Sequence, residues 1–167
     1  MGKAIAGFLV GVLLVLGAEY LFLTQGGMPV ATKGGPLPLE RFLTSRALHT
    51  AIVNEAKKPS PIEPTGANLL AGAKVYRANC EVCHGAPGGQ PSSIAKGMFP
   101  RPPQLMPPRK GVTDDPVGET YWKVKNGIRL TGMPGFEGSL TEDELWQVSL
   151  LLLKAGELPE PVKAALH

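Results

Sequence analysis

Cysteine is almost missing from this chain: Cys80 and Cys83 are the only two among 167 residues. A disulfide framework is therefore excluded, because a small secreted scaffold relies on several bridges. Whatever these two thiols do, they do together. Aromatic residues are scarce at 6%, and the net charge is only +3. Lysine and arginine form no run and lie among acidic residues, which excludes a nucleic-acid binder. Neither an internal repeat nor the alternation of a half-buried strand occurs, and this leaves an all-α fold. Glycine and proline are in excess, 21 and 17, about 23% of the chain. That is too loop-rich for a long-helix bundle, and a small domain with a thin core usually needs a staple or a cofactor.

Hydrophobic residues make up 43%, and many lie in residues 4–23, an apolar run of twenty broken only by Glu19. At 1.5 Å per residue the run spans about 30 Å, the thickness of a bilayer's hydrocarbon core. Residues 1–24 are therefore expected to form a transmembrane anchor. A cleaved signal peptide is the alternative, since Lys3 and the core from Ala4 to Ala18 also suit one. Cleavage after Ala18 would set Leu16 where a small residue is preferred, and apolar residues continue to Leu23. The retained anchor is favoured. Lys3 places the short N-terminal end in the cytoplasm by the positive-inside rule. Everything after residue 24 then lies on the periplasmic or outer side of a bacterial inner membrane.

Residues 25–64 read as a linker. TQGGMPVATKGGPL, over 24–37, is a flexible tether. A short helix is expected over 39–57, with Phe42, Leu43, Ala47, Leu48, Ile52 and Val53 on one side. PSPIEPTG, over 59–66, then breaks the chain. The domain proper, residues 65–167, opens with a helix over 67–80 that carries Leu69, Leu70, Ala73, Val75 and Tyr76. Eight prolines between residues 85 and 116 exclude a long helix or a paired strand there. A helix over 116–126 follows, with Asp115 as N-cap, Pro116 at the first helical position and Gly127 as the stop. The last helix starts at the capping box Thr141-Glu142-Asp143-Glu144 and runs to Gly156.

Cys80-Glu81-Val82-Cys83-His84 is the pattern C-x-x-C-H, which marks covalent attachment of haem. Two thiols add across the two vinyl groups, and two intervening residues let both sulfurs reach one porphyrin edge. The adjacent His84 then turns under the ring to ligate the iron. Competing uses fit less well. A thioredoxin-like C-x-x-C starts a helix, where the dipole lowers the nucleophile's pKa; here the motif ends one, and no βαβ pattern surrounds it. A zinc site needs four ligands, and only His49 and His167 remain to join it. One covalent haem c is the expected cofactor.

The sixth iron position has several candidates. Met1 and Met28 precede the domain, which leaves Met98, Met106 and Met133. A lone methionine is more often core filler than a ligand. Met133 lies 49 residues after His84, between two expected helices, and Gly132 and Gly135 free the backbone to press against the haem. It is the favoured ligand. Met106, which also precedes a proline, and His49 or an open site remain as alternatives.

These residues resemble the class I c-type cytochromes, in particular the membrane-anchored bacterial monohaem type related to the haem domains of cbb3-type oxidase subunits. The resemblance covers residues 65–156. Gly72 and Tyr76 look like the family's first helix, where a glycine allows close crossing with the last helix. Trp146 matches the aromatic of that last helix, and Thr131-Gly132-Met133-Pro134 looks like the distal-ligand loop. The resemblance implies a cytochrome c-like haem domain of three to four helices with long Pro-rich loops, behind one transmembrane helix. It also implies that a proline carbonyl, Pro102 or Pro103, accepts from the second nitrogen of His84. Tyr121, Trp122, Arg101 and Arg109 are candidates to hold the haem propionates.

With His84 and Met133 both on the iron, no position is free for a substrate, and the thioether raises the reduction potential. The expected function is outer-sphere electron transfer, not enzymatic chemistry. The expected partners are the membrane and redox proteins of a respiratory or photosynthetic complex, with no nucleic acid and no small-molecule substrate. A haem enzyme such as a peroxidase, with an open or labile distal site, is the alternative; a thiol–disulfide protein is a third reading. From residue 64 to 167 eleven Lys/Arg face ten Asp/Glu, so no strongly basic docking surface is expected. Lys123, Lys125 and Arg129 do form a local cluster, either a patch that steers an acidic partner or simply a solvated helix face.

Overall fold

Helix is the only regular structure among the described residues, 1–106 and 111–167, of the computed structural model. In chain order the helices are α1 (Gly2–Thr24), α2 (Glu40–Ile52), α3 (Gly66–Asn79), α4 (Glu81–His84), α5 (Ser93–Gly97), α6 (Val117–Asn126), α7 (Glu142–Leu153) and α8 (Glu160–Ala165). A single 3₁₀ turn, Glu55–Lys57, follows α2. Met1–Arg41 and Phe42–His167 form separate compact units. The first is dominated by α1, 23 residues with no buried side chain and a mean hydropathy of 2.2. At about 35 Å it is long and apolar enough to cross a bilayer.

The second unit is organised around the packing of α3 on α7. Both helices begin on threonine caps, which satisfy amides that a helix start leaves without partners. Thr65 Oγ1 accepts from the Asn68 N–H at 3.2 Å, and Thr141 forms the full capping box with Glu144. Leu69, Ala73 and Tyr76 of α3 share one buried core with Leu145, Val148 and Leu151 of α7. Gly72 lets the two backbones meet: a Cβ there would collide with the Gln147 carbonyl and lie 3.2 Å from Leu151 Cβ. This is the close crossing that the resemblance implies. Tyr121 of α6 stacks on Trp146 of α7, with ring centroids 3.9 Å apart and planes 10° from parallel. α8 packs on α3 and buries Val162, and Leu166 just beyond its end is buried too.

Several elements differ from the sequence expectation. α6 starts at Val117, because Pro116 has an extended ψ of 135° and is itself the N-cap. Asp115 therefore does not cap the helix; its carboxylate lies 3.7 Å from Lys123 Nζ instead. α7 stops at Leu153, short of Gly156: the Lys154 amide still makes the helical bond to Leu150 at 3.0 Å, but the Ala155 amide turns to Leu152, three residues back, at 3.3 Å. α8 was not expected. Six residues show no helical period, and Pro159 and Pro161 read as breakers, although a proline is tolerated in a first turn. α2 buries only Ile52; Phe42 and Leu43, expected on the same side, are exposed. The helix docks by its C-terminal end, not along a stripe. Within the proline-rich stretch the described residues hold only the five-residue α5.

Candidate functional site

α3 delivers Cys80 to the wall of a cavity of about 260 Å³. Cys80 is both the C-cap of α3 and the N-cap of the one-turn α4, so Cys83 and His84 follow within a single turn. The Cys83 and His84 amides both donate to the Cys80 carbonyl, at 3.1 and 2.9 Å. Residues three apart on a turn are neighbours on one face, which sets the two thiols side by side. Gly85, at φ 78°, stops the turn, and the buried Tyr76 hydroxyl donates to its carbonyl at 2.7 Å. The body of α3 thus fixes where the turn ends.

His84 Nδ1 lies 2.8 Å from the Pro103 carbonyl. A carbonyl only accepts, so Nδ1 carries the proton and Nε2 keeps its lone pair. Of the two prolines considered, Pro103 is the acceptor. Burial pushes the imidazole below its ordinary pKa, and the Pro103 carbonyl pulls in the other direction. Burial thus favours the neutral ring, the form that ligates a metal. Burial, and then the neighbouring Cys83, push the Cys80 thiol up to about 12. An activated redox thiolate has the opposite shift, which disfavours the thiol–disulfide reading.

Met133 reaches the same cavity from the loop between α6 and α7. That loop is pinned by close backbone approach. Gly127, at φ 68°, ends α6; a Cβ on it would lie 2.5 Å from the Gly135 nitrogen and 2.8 Å from the Met133 oxygen. A Cβ on Gly135 would lie 2.8 Å from the Asn126 oxygen. The Ile128 amide donates to the Met133 carbonyl at 3.1 Å, and the Phe136 amide to Val124 at 3.0 Å. Thr131 Oγ1 accepts from the Met133 amide at 3.1 Å and donates to the Ile128 carbonyl at 2.7 Å. Two of the rivals are elsewhere. Met106 is 5% exposed in the hydrophobic core, His49 is exposed on α2, and neither lines the cavity. Met98 does line it, with its side chain against Gly132.

The wall is mostly apolar; its charged and polar members include Arg101, Asp115, Thr120 and Lys123. Arg101 and Lys123 are its cations among the described residues, apart from the titratable His84. Tyr121 donates its hydroxyl to Glu142, and neither Tyr121 nor Trp122 lines the cavity. Arg109 lies outside the described residues. Lys123 was legible only as surface charge, yet Thr120, Lys123 and Val124 share an i, i+3, i+4 face that marks a common wall. The expected basic cluster is largely neutralised. Lys123 pairs with Glu119 at 2.6 Å, and Lys125 with Glu142 at 3.4 Å and Glu137 at 3.6 Å. A larger groove of about 1020 Å³ beside Lys74, Arg77 and Ser92 is open surface and presents no Cys, His or Met side chain.

Paired thiols, a neutral imidazole and a thioether around one apolar cavity in a helical domain are the donor set of a c-type cytochrome. Comparison with known proteins agrees. The family described as cytochrome c oxidase, cbb3-type, subunit III matches residues 67–150. Cytochrome c6 of Limnospira maxima is 32% identical over 90 residues, 54% of this chain and 96% of that protein. Cytochrome c6 of Leptolyngbya boryana is 34% identical over 94 residues, with the same coverage of 54% and 96%. No solved structure matches. The chain belongs to the class I c-type cytochromes, electron-transfer proteins that carry covalent haem c and are not enzymes.

Proposed function

We propose that the protein carries one haem, which Cys80 and Cys83 would hold through thioethers and whose iron His84 and Met133 would ligate, and that it transfers single electrons. The observation that carries this proposal is that one cavity gathers Cys80, Cys83, His84 and Met133, while Met106 and His49 lie away from it. When bound, the haem supplies a one-electron iron couple. The chain's residues do the rest. Pro103 holds His84 in one tautomer and orientation, and Met133 closes the remaining position to substrates and favours the ferrous state. The apolar wall excludes water, and Arg101 and Lys123 are placed to meet the propionates. α1 serves as the anchor in a bacterial inner membrane, with the haem domain on the periplasmic or outer side. The carrier is thereby kept beside the membrane redox complexes it serves, or is a subunit of one.

The visible spectrum of the detergent-solubilised protein tests this. Reduction should give sharp α and β bands, and the oxidised form should show the weak long-wavelength charge-transfer band of an iron–thioether bond. A high-spin spectrum would favour the peroxidase-type alternative, and no Soret band at all would end both haem readings.

A further inference from the structure

Residues 42–58 lie upstream of the stretch that matches the family, 67–150, and the electron-transfer chemistry above makes no use of them. The structure places them against the cavity. Leu48, midway along α2, lines the same cavity as His84 and Met133. Ile52, one turn further on, is 3% exposed. The 3₁₀ turn then seats its backbone on α6 at Gly118. A Cβ there would collide with the Glu55 carbonyl and lie 2.8 Å and 3.2 Å from the Lys58 and Ala56 carbonyls. The Lys58–Glu55 ion pair, at 2.6 Å, spans the turn. Gly118 sits two residues before Thr120 of the cavity wall. The upstream segment is thus clamped to the helix whose wall it completes.

We propose that residues 42–58 are a built-in cover of the haem cavity. Leu48 is the side chain that keeps water out, and Gly118 is the socket that holds the cover in place. The proposal rests on the haem reading above. Apolar surroundings disfavour the more highly charged ferric state and restrict solvent access. The cover therefore raises the reduction potential and slows the entry of external ligands to the iron.

The test uses the full chain in detergent and compares the wild type with Leu48→Ala, Gly118→Ala and Leu43→Ala. Leu43 is an exposed residue of α2 that does not line the cavity. The readouts are the midpoint potential, the rate of cyanide binding to the ferric protein, and amide exchange across residues 52–57. Leu48→Ala and Gly118→Ala should both lower the potential and speed cyanide binding several-fold. Gly118→Ala should in addition speed the exchange, and Leu43→Ala should match the wild type. Gly118→Ala also perturbs α6, so Leu48→Ala decides. An iron–thioether band in the wild type, with Leu48→Ala unshifted in potential and cyanide rate, overturns the cover alone. A wild type without covalent haem overturns the haem reading and the cover with it.

Discussion

On the His84 side of the cavity the site is assembled by neighbours in sequence. Cys80, Cys83 and His84 share one turn, and Tyr76 holds the end of that turn from the preceding helix. Only the Pro103 carbonyl comes from farther away, nineteen residues on. On the Met133 side nothing comparable is contiguous. The loop is placed by Gly127 and Gly135 pressing backbone against backbone, and by amides that reach back to α6. A ligand held by a helical turn needs the right residues at fixed spacing. A ligand held by a loop needs two surfaces to approach, which glycines permit but do not announce.

Removing the thiols should have the largest effect. In Cys80→Ala with Cys83→Ala, acidified acetone should strip whatever haem the chain still holds, whereas the wild type keeps its colour. With the haem gone, the apolar wall loses its packing partner and meets water, a loss to be set against the ~5–15 kcal/mol of a whole small domain. Thermal unfolding of the double variant should lose its cooperative transition. A cooperative transition at the wild-type temperature would show that the haem is not part of the core.

The distal side should break more gently. Met133→Ala should keep the covalent haem, lose the charge-transfer band, lower the potential and admit peroxide to the iron. Met106→Ala should leave the spectrum untouched and cost about 2–5 kcal/mol, because Met106 is a core residue. Should the spectrum respond to Met106 and not to Met133, the axial assignment is reversed. Should it respond to neither, Met98, the other methionine on the wall, becomes the residue to replace.

How much was legible in the sequence follows from the same contrast. The C-x-x-C-H turn, the Thr141 box, the Gly127 stop and the Gly72 crossing are local or short-period signals, and each lies where it was expected. Met133 could be favoured over Met106 from its place between two helices, but its seat on the cavity wall depends on contacts that spacing does not encode. In the sequence alone Lys123 is surface charge and Leu48 is part of an apolar stripe. Their common role as cavity wall depends on how α6 and the upstream segment pack together. α8 is not legible because six residues with prolines at their start carry no periodicity.

Gly72→Ala tests the scaffold on the His84 side. The added methyl meets the Gln147 carbonyl, so α3 and α7 must part. Overpacking of this kind costs about 1–3 kcal/mol, readable as a lower melting temperature. Both helices feed the core beside Cys80, and the covalent turn should ride with α3, so the haem should stay attached. An unchanged melting temperature would mean that the crossing is looser than the geometry shows.

The smallest effect belongs to Thr141→Ala, at the start of α7 and eight residues beyond Met133. The Thr141 hydroxyl accepts from the Glu144 amide at 3.3 Å, and the Glu144 carboxylate accepts from the Thr141 amide at 2.8 Å. Loss of a threonine cap costs about 1 kcal/mol at neutral pH. Hydrogen bonds from the Thr141 backbone and then its hydroxyl hold the Glu144 carboxyl below its usual range. A depressed folded pKa means that the unfolded chain takes up the proton first. The contribution is present above the unfolded pKa and is lost as pH falls through the folded one. The stability gap between the wild type and Thr141→Ala should therefore narrow on acidification through the carboxylate range, and a gap independent of pH would remove Glu144 from the cap. The iron–thioether band should be the same in both proteins, because the Met133 loop is pinned at Gly127 and Gly135, upstream of the cap. If the band weakens in Thr141→Ala, the loop is held from α7 as well, and backbone approach to α6 is not sufficient to place the ligand.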